Sequence, residues 1–125
     1  ELGAYIVNVT SQNYVINLIA SGSEVEIALG AQKKLKEMNI DSKVVSMPCQ
    51  ELFDQQSSSF KNEIIDKNIP VITIEASCIY SWEKYSNHNM GINTFGESAP
   101  YKEVYSHFNL TSTNVVEFAK KIIKE

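Results

Sequence analysis

Val45-Ser-Met-Pro-Cys-Gln-Glu-Leu-Phe-Asp54 passes from strand to helix across one proline. Residues 42–47 carry the apolar pair Val44 and Val45 and read as a strand. Pro48 lacks a backbone donor, ends the strand and forces Met47 toward extended geometry. Residues 49–55 then read as a short helix beginning near the proline. Ser57 to Ser59 make a small polar break, and residues 60–66 read as a second short helix with Ile64 and Ile65 inward. Pro70 starts the next strand, residues 71–75. Short helical segments between two strands are the βαβ pattern, so parallel neighbours in an α/β domain are expected.

Working outward, residues 4–9 and 14–20 read as strands separated by a polar turn, Thr10 to Asn13. A hairpin is the expected pairing of these two. Ser21-Gly22-Ser23 breaks the second run. Ser23 suits a helix N-cap whose hydroxyl accepts a backbone N–H, and Glu24 and Glu26 fall where negative charge is favoured. Val25, Ala28, Leu29, Leu35 and Met38, with Ile27 nearby, describe an amphipathic helix that stops at Asn39. Downstream, residues 79–85 read as a short helix or turn carrying Tyr80, Trp82 and Tyr85, and residues 90–92 as a short strand. A loop over 93–100 leads through Pro100 into a helix expected over 101–108. Thr111 caps a last helix, residues 112–123, with Val115, Val116, Ala119, Ile122 and Ile123 on its apolar face.

The chain has 125 residues, enough for a single core and no second one. Its 11 basic and 15 acidic side chains leave a net charge of -4, which speaks against a phosphate-backbone binder, so no nucleic-acid partner is expected. The lysines at 33, 34 and 36 and at 120, 121 and 124 are interleaved with acids and read as solvated helix faces. No apolar run is long enough to cross a membrane, and no signal or transit peptide shows in the first residues. The 2 cysteines, Cys49 and Cys78, form no zinc spacing and read as reduced thiols, so a cytoplasmic location is expected. Absence of a starting Met fits an excised segment.

No dinucleotide fingerprint or P-loop is present. Ser21, Gly22 and Ser23 at a helix start form a candidate anion site, with helix capping as the plainer use. Cys49 lies near a helix start that would lower its pKa, but His88 and His107 could reach it only through the fold. Glu75 lies at a strand end where α/β folds place ligands, and Glu51, Asp54 and Glu97 could join it in acid–base or divalent-metal chemistry. Capping or a salt bridge suits these carboxylates better.

The chain resembles the C-terminal domain of transketolase. The resemblance rests on Gly3-Ala-Tyr5, Ile19-Ala-Ser-Gly-Ser-Glu-Val25, Val44-Val-Ser-Met-Pro-Cys-Gln-Glu-Leu-Phe-Asp-Gln-Gln56, Glu75-Ala76, Trp82-Glu-Lys-Tyr85, Phe95-Gly-Glu-Ser-Ala-Pro100, Leu110-Thr111 and Asn114-Val-Val116, in that order. It implies a three-layer α/β/α domain with a mostly parallel sheet of about five strands. One strand would be antiparallel, supplied or adjoined by residues 5–9. It also implies a longer parent, a homodimer that moves a two-carbon ketol unit between the sugar phosphates of the pentose phosphate pathway.

The parent would use thiamine diphosphate and a divalent cation, usually magnesium, held by upstream domains of the same polypeptide. By that resemblance this domain binds no cofactor or metal and contributes no catalytic residue. Ser46, Met47, Pro48, Glu51, Phe53 and Asp54 would shape a strand-to-helix turn. Phe95, Gly96, Glu97, Ser98 and Pro100 would shape a loop toward the rest of the protein. The sequence departs from many relatives at Ser77-Cys78, where they carry glycine, and at Asn93-Thr94. Two alternatives stand beside this reading. One is the matching domain of a deoxyxylulose-phosphate synthase or a ketoacid dehydrogenase β subunit. The other is a free-standing module that grips a phosphate-bearing ligand through Ser21 to Ser23.

Overall fold

The structure, a computed structural model, describes residues 2–66, 68–78, 84–86, 88–92, 104–105 and 111–124. In chain order these form β1 (Tyr5–Val9), β2 (Ile16–Ala20), α1 (Glu24–Glu37), β3 (Ser42–Ser46), α2 (Gln50–Asp54), α3 (Ser58–Ile64), β4 (Val71–Cys78), β5 (His88–Ile92), β6 (Val104–Tyr105) and α4 (Ser112–Lys124). Among the described residues the sheet is six-stranded, in the order β1-β3-β2-β4-β5-β6. Among these strands every pairing is parallel except β1 with β3. The parallel strands thus run outward in both directions from β2, which is the doubly wound arrangement, with its switch point between β2 and β4.

The sheet separates two cores. Ile16, Leu18, Ala20, Val44, Ile72, Ile74 and Met90 face α1 and α4, whose Ala28, Ala31, Leu35, Val115, Phe118 and Ala119 cover them. Ile19, Val45 and Val71 face the other way, onto Ala4, Met47, Phe53 and Ile64 with Phe60 beside them. Alternation along each strand sends neighbouring side chains to opposite layers, which is why the central strands are buried on both faces, with Asn17, Lys43 and Thr73 as buried polar breaks in their apolar runs.

The hairpin expected of β1 and β2 does not form: β1 lies antiparallel on β3 instead. Every residue of β2 is buried, whereas four of the five in β1 are exposed. A strand buried on both faces belongs at the centre and a half-wet one at the edge, so β3 comes between them. The helix expected over 101–108 is also corrected within the described residues. Val104–Tyr105 pairs in parallel with β5, as a β-branched and an aromatic residue suit a strand.

Helix α3 starts at Ser58 because Ser57 caps it, its hydroxyl accepting the Phe60 N–H at 3.2 Å. Asn39 ends α1 in the left-handed region at φ 63°, a conformation asparagine tolerates better than most residues. The last helix follows expectation, with the Thr111 hydroxyl accepting the Asn114 N–H at 3.2 Å.

A polar tie anchors the edge strand. Gln32 of α1 is buried, accepts from Asn8 Nδ2 at 3.0 Å and donates to the backbone oxygens of Asn8 and Ser42 at 3.2 and 3.0 Å. On the other face Lys43 is 2% exposed. Its ammonium donates to the Tyr14 hydroxyl at 3.0 Å and to the Glu63 carbonyl near the end of α3 at 3.3 Å.

Candidate functional site

Two strand-to-helix turns stand at the C-terminal ends of the central strands. The first is Ser21-Gly22-Ser23, beside the switch point. Gly22 has φ 57°, a left-handed turn that glycine adopts freely. The N–H groups of Glu24, Val25 and Glu26 donate to the carbonyls of Ser21, Gly22 and Ser23 at 3.1, 3.2 and 3.3 Å. Those donors are spent inside the turn.

Ser23 holds the N-cap position but does not act as the expected acceptor. Its backbone is helical, it makes no capping bond, and its hydroxyl donates to the Glu24 carboxylate at 3.0 Å. The Ser21 hydroxyl donates to the Glu75 carboxylate at 2.9 Å. Glu24, Glu26 and Glu75 therefore surround this turn with negative charge, which works against a phosphate seated there.

The second turn is the proline turn. Gly3 packs into its open side with φ 93°. A Cβ on Gly3 would lie 2.3 Å from the Phe53 nitrogen and 2.5 Å from the Cys49 oxygen. The Cys49 N–H in turn donates to the Gly3 carbonyl at 3.2 Å. The Gly3-Ala-Tyr5 stretch and the proline turn, far apart in sequence, are thus one clasp.

Phe53 is buried beneath it, with the Phe60 ring 6.2 Å away and the Tyr85 ring edge-on at 5.9 Å. Asp54 accepts from the Tyr85 hydroxyl at 2.8 Å and from Lys84 Nζ at 2.6 Å. Lys61 Nζ donates to the Asp54 carbonyl at 3.2 Å. Burial pushes the Asp54 carboxyl up, but the bonds from Lys84 and Tyr85, with the charges of Lys84 and Lys61, outweigh it and hold it below its usual range. Burial raises the Tyr85 phenol, and donating its proton to Asp54 raises it further. Phe53, Asp54, Lys61, Lys84 and Tyr85 border a cleft of about 380 Å³.

The fold keeps the other candidates apart. Cys49 is a free, half-buried thiol on the α2 side. The His88 ring lies 6.0 Å from Phe118 of α4, on the opposite side of the sheet. Glu51 is exposed on α2, and Ser46 and Met47 are buried at the end of β3. His107, Tyr80, Trp82 and the stretch holding Phe95, Gly96, Glu97, Ser98 and Pro100 lie outside the described residues. Among the described residues, no three His, Cys, Asp or Glu side chains converge as metal ligands. No described helix is long and apolar enough to cross a membrane.

The sequence reading passed over Gly3 as a packing residue and Tyr85 as the partner of Asp54. A lone glycine ahead of a strand carries no local signal. The Tyr85 bond spans 31 positions, beyond any periodicity.

Residues 3–111 match the family model for the transketolase-like C-terminal domain. The chromosomal transketolase of Cupriavidus necator is 37% identical over 126 residues, covering 98% of this chain and 19% of that protein. The dihydroxyacetone synthase of Candida boidinii is 37% identical over 108 residues, covering 86% of this chain and 15% of that protein. The transketolase structure from Leishmania mexicana superposes with a TM-score of 0.83 at 39% identity, covering 98% of this chain and 18% of that one. The chain thus spans less than a fifth of the length of these relatives. The order of its turns, its mixed sheet and its match over residues 3–111 together make this chain a member of the transketolase C-terminal domain family.

Proposed function

We propose that this chain is the C-terminal domain of a longer transketolase. The whole protein would transfer a two-carbon ketol unit between sugar phosphates, with thiamine diphosphate and a divalent cation bound upstream. The family match over residues 3–111 carries this reading. The described residues do not suit the cofactor. The strand-to-helix turn that could cradle a diphosphate is ringed by Glu24, Glu26 and Glu75 and has already spent three of its N–H groups. No step of the chemistry is therefore assigned to Ser21, Gly22 or Ser23.

On this reading Ser46 to Asp54 serve as scaffold, and Phe95 to Pro100 as a loop toward the upstream domains. The same domain occurs in a protein named for dihydroxyacetone synthesis, so the choice of acceptor sugar would be made outside it. A homodimeric, cytoplasmic parent completes the proposal.

The test is a ketol-transfer assay on the natural polypeptide, supplied with thiamine diphosphate, magnesium and a pentulose phosphate donor. Transfer to an aldose phosphate that stops when thiamine diphosphate is withheld supports the reading. A natural polypeptide without transfer to any aldose acceptor contradicts it.

A further inference from the structure

β1 is the outermost strand, and among the described residues nothing pairs with its free edge. Such edges are normally guarded by charges, by proline or by a covering segment. Tyr5-Ile-Val-Asn-Val9 has no charge and no proline. Leu2 is 45% exposed, Tyr5 56%, Ile6 40% and Val9 39%. Behind this edge lies a cleft of about 320 Å³ between β1 and α3, walled by Leu2, Ala4, Ile6, Phe60 and Ile64, with Tyr5 and the one charged residue, Glu63, also on its lining. An uncharged edge beside a mainly apolar cleft is costly to leave in water.

We propose that this edge and cleft seat the segment of the same polypeptide that lies immediately upstream of residue 1. The inference rests on the reading of the chain as the C-terminal part of a longer protein. The clasp at Gly3 argues for this occupant. Because Gly3 is fixed against Cys49 and Phe53, upstream polypeptide enters at Leu2, itself a wall of the cleft. A segment tethered there has a high effective concentration at the site, on the order of millimolar for a short flexible connection. A second copy of the chain is less suited. The register shift between Ile6 and Asn8 bends the edge and hinders a long, flat pairing with its own image. The segment that fits is extended and apolar, its side chains set against Phe60 and Ile64 and its backbone along β1.

The experiment places Ile6→Cys in the full-length natural polypeptide and follows maleimide labelling of its peptide by mass spectrometry. Cys49 and Cys78 fall on other peptides and do not interfere. A covered site labels at least about tenfold more slowly in the native protein than in urea. A native rate within about twofold of the unfolded rate, as bare exposure would give, overturns the proposal. Protection that disappears on dilution assigns the site to a second copy and also overturns it.

Should the variant not fold, hydroxyl-radical oxidation of the unsubstituted protein gives the same decision. A covered Tyr5 is oxidised less than half-buried Tyr14, and a bare Tyr5 more. A long, active polypeptide with a reactive position 6 removes this inference alone. A natural chain of 14.0 kDa removes the underlying reading with it.

Discussion

Gly3 and Asp54 show how single residues hold the proline turn. Gly3 combines a positive φ with backbone atoms where any Cβ would stand. Gly3→Ala is therefore expected to cost about 2–4 kcal/mol, read by urea denaturation, because neither Phe53 nor Cys49 can yield without breaking α2. A loss below about 0.5 kcal/mol would mean that the clasp is loose.

The Asp54 pair gives a pH signature. The folded Asp54 carboxyl titrates below its ordinary value, so its contribution is complete above about pH 4 and fades as pH falls through the folded value. The folded Tyr85 phenol titrates above its ordinary value, so its contribution is complete below about pH 10 and fades as pH rises beyond it. The stability gap between wild type and Asp54→Asn should be flat at neutral pH and shrink in acid; Tyr85→Phe should remove the alkaline limb. Thermal melts across pH check both, and parallel curves for wild type and variants would contradict them. Neither residue's partner was legible in the sequence, because its value lies in contacts between distant segments.

At the scale of elements, much was legible and the failures share a cause. β3, α2, α4 and the stop at Asn39 follow from proline, capping and apolar spacing, all local signals. The antiparallel place of β1, the strand at Val104–Tyr105 and the burial of Gln32 and Lys43 depend on neighbours supplied by the tertiary fold. Two predictions belong here. Gly30 of α1 faces Ser112 at the start of α4, where an added Cβ would lie 2.3 Å from the hydroxyl. That hydroxyl donates to the Ile27 carbonyl at 2.8 Å. Gly30→Ala should cost about 1–2 kcal/mol despite a helix-propensity gain near 1 kcal/mol. The same change in a Ser112→Gly background should cost much less, a non-additivity that a double-mutant cycle reads directly.

Lys43 is buried, and its ammonium is held by a hydroxyl and a backbone carbonyl. Lys43→Met should leave the melting temperature unchanged or raise it, whereas Lys43→Glu should cost more than about 3 kcal/mol. Equal losses in both variants would show that the ammonium's hydrogen bonds dominate.

At the scale of the whole molecule, the fold is a doubly wound sheet whose switch-point turn is closed on itself and ringed by carboxylates. The proline turn instead fixes where the chain enters, beside an uncharged edge strand. Both features suit a domain that completes a larger protein, and both agree with a chain that spans 19% of a curated transketolase. The most direct test is the mass of the natural polypeptide, isolated with an antibody against this domain and measured by intact-protein mass spectrometry. The account predicts a species several times heavier than 14.0 kDa. A natural species of 14.0 kDa would contradict it.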